Sequence, residues 1–170
     1  MSHARAFGAV IFLWSAPFLS FAAPKPVPCA APEYRQFDFW IGDWDVSDVG
    51  DPQPSMRIRV ERILDGCALK ESYRDVNGMV GETLNVYDAA RMVWHQTWVT
   101  NRGQLLVLEG GMESGRVALR ATETARDGPI LWRAWWIPQG QEVCETAETS
   151  ADGGKTWKSK FDIVFRKHEP

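Results

Sequence analysis

Histidine and cysteine are scarce in this 170-residue chain, three of each. No two of them stand at metal-ligand spacing, which argues against a zinc module. Also missing are the Gly-x-Ser-x-Gly elbow of serine hydrolases, a phosphate-binding glycine loop and His-Glu-x-x-His, so no familiar catalytic signature organises the sequence. Basic residues are scattered without a polybasic stripe, and 19 Lys and Arg against 22 Asp and Glu leave a net charge of −3. Such a protein has no electrostatic reason to seek nucleic acid or anionic lipid. Beyond residue 42 no segment keeps a 3.6-residue apolar period for three turns, which excludes a helical domain.

Charge-free apolar sequence is concentrated at the amino terminus, in MSHARAFGAVIFLWSAPFLSFAA. A basic start at Arg5, an apolar run, and small residues at Ser20 and Ala22 predict a signal peptide over residues 1–22. An uncleaved anchor is the alternative, but Pro17 interrupts the run and Pro24, Pro26 and Pro28 follow it. Removal of residues 1–22 takes away Arg5 and no acid, so the charge becomes 18 minus 22, or −4. The expectation is a periplasmic or secreted protein, free of the membrane after cleavage. A Pro-rich lead-in over 23–31 then precedes one domain over 32–170.

An oxidising compartment permits disulfides. Cys29 lies in the irregular lead-in that gains most from a covalent tie, and Cys67 follows a tight turn, so Cys29–Cys67 is the preferred pair. Cys144 is then a buried free thiol.

What the chain has in abundance is turn signals, recurring every dozen residues or so. They include Gly50-Asp51-Pro52, Asp65-Gly66, Asn77-Gly78, Asp88-Ala89, Asn101-Arg102-Gly103, Gly110-Gly111, Asp127-Gly128-Pro129, Pro138-Gln139-Gly140 and Asp152-Gly153-Gly154. Asp-Gly and Asn-Gly supply the positive φ angles of two-residue hairpins. Strand-like runs lie between them at 43–49, 56–64, 67–75, 81–87, 92–100, 104–109, 116–124, 130–137, 142–149 and 156–166. Short connections make neighbouring strands antiparallel, and a long meander avoids exposed edges by closing. The expected fold is therefore all-β, an up-and-down barrel of about 8–10 strands, with a two-sheet sandwich as the runner-up. One helical hint remains at Pro32 to Ile41, where Phe37, Trp40 and Ile41 follow i, i+3, i+4 spacing and would cap one end.

The stretches EYRQFDFWIGDWDV, ILDGCALKESY, GETLNVYD, WHQTWV and SADGGKTWKSKFDIVFRK together resemble a family of exported bacterial lipocalin-like, calycin-type domains of unknown function. The resemblance covers most of residues 32–167 and implies a ligand-binding barrel and export, with no established substrate. It also implies that Trp40 and Gly42 belong to the sealed end. Trp44, at the start of the first strand, is implied to pack on an arginine near the end of the last, for which Arg166 is the candidate. The acidic run Glu142 to Glu148 departs from the Gln- and Trp-rich strand of that family, so the ligand is expected to differ. Ser150 to Trp157 matches the Asp-box hairpin, in which Asp152 accepts backbone N–H bonds while Trp157 packs beneath. A single copy builds a rigid turn and cannot make a propeller.

Strand alternation locates the candidate site. Cys67, Leu69, Glu71 and Tyr73 share one face, opposite Lys70, Ser72 and Arg74, which turns Glu71 inward. Similarly, Val143, Glu145 and Ala147 oppose Glu142, Thr146 and Glu148. The candidate ligand-binding set is Glu71, Tyr73, Asn85, His95, Trp98, Arg133, Trp135 and Glu145, with Trp94 or Trp98 and Trp135 or Trp136 as the aromatic walls. The phase of 92–100 is open, because Trp94, Gln96 and Trp98 share one face and His95 with its neighbours the other. His95 as a haem ligand has no second cue, so no cofactor is expected. The partner expected is a small hydrophobic molecule with one polar end. The competing expectations are an enzyme with Glu71 and Glu145 as acid and base, a glycan binder with exposed aromatics, and a filled core in which Arg74 or Arg133 neutralises the acids. No feature of the sequence specifies an oligomeric state.

Overall fold

The computed structural model describes residues 27–169; the predicted signal peptide and the first residues of the lead-in lie outside them. Ten strands follow in chain order: β1 Gly42–Asp48, β2 Met56–Ile63, β3 Ala68–Asp75, β4 Val80–Asp88, β5 Val93–Thr100, β6 Leu105–Glu113, β7 Arg116–Ala125, β8 Gly128–Gln139, β9 Glu142–Ser150 and β10 Lys158–Lys167. Each pairs antiparallel with its sequence neighbour, and β10 closes on β1. The result is the up-and-down barrel, not the sandwich, and no strand of it keeps a free edge.

Glycine explains one place where strand replaces an expected turn. Gly110-Gly111 lies within β6, because a Cβ on Gly110 would stand 2.0 Å from the Ala118 carbonyl oxygen of β7. That glycine permits a close backbone approach rather than a reversal. The chain reverses instead at Ser114-Gly115, whose φ angles of 49° and 82° suit a two-residue hairpin turn.

One end of the barrel is sealed. Two short 3-10 turns, Pro32–Arg35 and Asp38–Trp40, form the predicted helical cap and carry Phe37 and Trp40 into the core. The Phe37 ring stacks on Trp40 at 5.0 Å between centroids and meets Trp94 at 5.6 Å and Trp136 at 5.3 Å edge-on. The Trp44 indole N–H donates to the Trp40 carbonyl at 2.9 Å, and that of Trp94 donates to Gln36 Oε1 at 3.1 Å. Every buried indole and ring here adds packing area and fixes the entry of the chain.

Behind the plug, Cys29 and Cys67 form the expected disulfide, 38 residues apart in sequence. Closing a loop of that length removes unfolded-state entropy equivalent to about 4 kcal/mol. Arg35 reinforces the tie by donating to the carbonyls of Cys29 and Gly66. Cys144 is the free thiol, but it lies half-buried on the outer side of β9 rather than in the core, and partial burial pushes its pKa up.

Gly42 and Arg166 behave differently from expectation. Gly42 is a strand residue without positive φ, and a Cβ there would sit 2.3 Å from Lys167 Nζ and 2.9 Å from the Trp44 ring. Its bareness therefore admits a cation over an indole. Trp44 stands opposite Lys167 in the register, whose Nζ lies 3.6 Å from the ring centroid. Arg166, one residue earlier and so on the outer face, pairs with Glu142 at 3.1 Å and donates to Ser47 Oγ at 3.0 Å. No helix among the described residues is long and apolar enough to cross a membrane.

Candidate functional site

Alternation along ten strands sorts the side chains into an interior and an outer coat. Glu71 and Tyr73 of β3, Thr83 and Asn85 of β4, Trp94, Gln96 and Trp98 of β5, Trp132 and Trp136 of β8 and Glu145 of β9 all belong to the inner rows. Of the predicted set, Glu71, Tyr73, Asn85, Trp98 and Glu145 are thus brought together.

His95, Arg133 and Trp135 are not. The first lies on the outer side of β5, with Nδ1 2.9 Å from Glu109 Oε1 and Nε2 3.0 Å from Thr97 Oγ1. Arg133 pairs with Glu148 at 2.6 Å and lies over the Trp157 ring at 3.9 Å. Trp135 is flanked on that surface by Arg116 at 5.0 Å and Arg133 at 5.2 Å. All three have odd numbers on strands whose even positions face inward, so alternation excludes them from the interior. Arg74 is likewise exposed, and neither arginine neutralises an interior acid.

The interior itself is built as two unlike halves. Toward the plug, Trp40, Trp44, Trp94, Trp136, Phe37, Phe165, Leu69 and Leu119 are all under 2 % or at most 2 % exposed. Toward the opposite end, the inner-row residues Trp98, Leu106, Ala121, Trp132 and Phe161 are only half-buried. A solid plug thus grades into an accessible mouth.

Between the halves runs a polar ladder. Thr83 Oγ1 donates to Glu71 Oε2 at 2.7 Å, Asn85 Nδ2 to Thr83 Oγ1 at 3.2 Å, and Gln96 Nε2 to Asn85 Oδ1 at 2.8 Å. Successive strands β3, β4 and β5 therefore hold the Glu71 carboxyl in one orientation. Burial pushes Glu71 up to about 7, against the lowering effect of the Thr83 hydroxyl. Glu145 is pushed well above the ordinary carboxylate range, first by burial and then by the charge of Glu71, while the Trp136 indole beside it pulls the other way. Tyr73 rises to about 12, chiefly through burial.

Two buried polar atoms in this layer, Tyr73 Oη and Trp136 Nε1, have no hydrogen-bond partner of good geometry among the described residues. Buried donors and acceptors are nearly always paired, and the nearest partners here are loose ones, the Trp98 indole for Tyr73 Oη and the Glu145 carboxyl for Trp136 Nε1. Glu145 retains accessible surface although its strand partners are Trp136 and Ile163 on the inner rows. No family model matches the chain, and no curated protein matches it.

Thr83, Gln96 and Trp132 are interior residues that were not anticipated. The signal for Thr83 was masked on β4, where Leu84 and Val86 are 52 % and 39 % exposed while Thr83 and Asn85 are 2 % and 1 % exposed. Trp132 lies at the mouth, where its indole N–H donates to Glu123 Oε2 at 2.8 Å. Two surface clefts of about 360 and 330 Å³ flank the plug, the first lined by Gln36, Tyr87 and Met92, the second by Cys29, Arg35 and Gly66. Neither is lined by the interior acids. The described residues hold no group of three or more His, Cys, Asp or Glu that could take a metal ion.

Proposed function

We propose that the protein is an exported, lipocalin-like binder of a small, largely apolar molecule whose polar end sits at Glu71 and Glu145. The observation that carries this is the pair of interior carboxyls with Tyr73 Oη and Trp136 Nε1 beside them, neither in a hydrogen bond of good geometry, below a rim of half-buried aromatics. Sites that are mostly apolar with a few converging polar groups are the usual form of small-molecule pockets. Export is supported by the amino-terminal segment and by the Cys29–Cys67 disulfide. The ordered barrel strands and the plug support the lipocalin-like resemblance.

A second reading, catalysis, is favoured by one observation: Glu71 titrates near 7, where a general acid or base works best. One experiment separates the two. The purified protein is incubated with an extract of its native host, and retained and altered species are identified by mass spectrometry. Binding predicts an unaltered molecule retained by the wild type and lost from Glu71→Gln. Catalysis predicts a product that disappears in that variant. Retention of nothing, with nothing altered, contradicts both.

A further inference from the structure

We propose that the polar end of the ligand is a cationic amine, seated between the Glu71 and Glu145 carboxylates with its carbon skeleton against Trp98, Trp132 and Trp136. This rests on the binding reading above and names the ligand chemistry that the interior selects.

The first argument is charge. Inner-row positions between plug and mouth hold the carboxyls of Glu71 and Glu145, with Glu123 at the rim. No lysine or arginine among the described residues acts on either deep acid: burial, the hydrogen bonds with Thr83 and Trp136 and the mutual repulsion of the pair account for both. Buried carboxylates normally keep a cationic partner, and without one they hold protons instead. A carboxylate or phosphate ligand would add to the repulsion. An ammonium supplies the missing countercharge.

The second argument is hydrogen-bond count. A primary ammonium offers three donors and no acceptor. Glu71, Glu145 and Tyr73 Oη, two residues along the same face from Glu71 and met only loosely by the Trp98 indole, offer three acceptors. Trp136, 2 % exposed, turns its N–H toward Glu145, a donor that favours the ionised acid.

The third is the wall. Trp98 and Trp132 are half-buried inner-row aromatics on the mouth side of the acids, and indole faces attract cations and apolar carbon alike. Binding replaces the protons held on the acids by the ammonium, and those protons leave to solvent. The groups packed around the pair are Val60 on β2, Tyr73 on β3, Thr83 on β4, Trp136 on β8 and Ile163 on β10. Only Tyr73 among these titrates, at about 12, so competition between proton and amine belongs to the two acids.

The test uses the protein beyond its signal and a neutral fluorescent reporter, N-phenyl-1-naphthylamine, displaced by 2-phenylethylamine, 2-phenylethanol or phenylacetate. The proposal expects the amine to compete at least about tenfold better than the alcohol and the acid. Amine affinity should weaken about a hundredfold per pH unit below 7, because each amine bound displaces one proton from each acid. Glu145→Gln and Glu71→Gln should each cost the amine about tenfold or more while reporter binding persists, which shows that the barrel still folds. Reporter binding with equal or better competition by the alcohol or the acid overturns the amine and leaves the pocket standing. Failure of the reporter and all three competitors to bind overturns the pocket as well.

Discussion

At the scale of single residues, the interior acids dominate the pH response of the empty barrel. Glu71 titrates near 4.5 in an unfolded chain and near 7 in the fold, so the folded state holds its proton more tightly. Its contribution is present in full below about 4.5 and is lost as pH rises through 7, which amounts to about 3 kcal/mol. Glu145, raised by burial and by the charge of Glu71, adds a loss of the same sign. The surface acids act at the other end of the scale: Glu109, held down to about 2 by Arg91 and then His95, loses its contribution only in strong acid. Thermal melting of the unliganded protein should therefore give a lower midpoint at pH 8 than at pH 5.5, and Glu71→Gln should narrow that difference. Equal pH dependence in both proteins contradicts the placement of Glu71. These two acids were legible from alternation because solvent-bound Lys70 and Arg74 fixed the phase of β3. Asn85 was likewise anticipated, but the inward side of β5 was not. Either face of that strand carried enough apolar area, and only the neighbouring ladder of Thr83, Asn85 and Gln96 decides it.

At the scale of elements, the plug and the turns carry separate loads. Phe37→Ala removes a fully buried ring that touches Trp40, Trp94 and Trp136 and should cost about 3–5 kcal/mol in denaturant unfolding. Gly110→Ala drives a methyl into the Ala118 carbonyl and should cost about 1–3 kcal/mol by forcing β6 away from β7. A cost near zero would mean that the two strands are not so close. In the hairpin before β10, Asp152 Oδ1 accepts from the Thr156 amide at 2.9 Å, and the Ser150 hydroxyl donates to Oδ1 at 2.7 Å. The Trp157 indole N–H in turn donates to the Gly154 carbonyl at 3.1 Å. Asp152→Ala should lower the melting temperature and leave reporter binding unchanged, and a comparable loss of binding would contradict a purely structural hairpin. Seven of the nine turn signals were visible because Gly or Asp there takes a positive φ. Gly110-Gly111 misled because a glycine needed for close approach looks the same in sequence as one needed for a bend.

At the scale of the whole molecule, strand count, order and closure followed from short connections and the cost of free edges. The division of the interior into a fully buried half and a half-buried one did not, because it depends on how ten inner rows meet. The sequence partly conceals the site through inverted patterning on β4, where polar Thr83 and Asn85 point in while Leu84 and Val86 point out. Such an exchange costs stability unless the inward polar groups have partners, and here they have one another and Glu71. The proposed binding mode places a small molecule in the half-buried part of the interior, against the acids. Indole N–H resonances in nitrogen-15 spectra report on it directly, since inner and outer tryptophans are distinct. On titration with 2-phenylethylamine or the neutral reporter, the Trp98, Trp132 and Trp136 resonances should shift, while Trp135 and Trp157 on the outer face stay in place. Shifts confined to Trp135 and Trp157 would put the ligand on the outside and contradict the account.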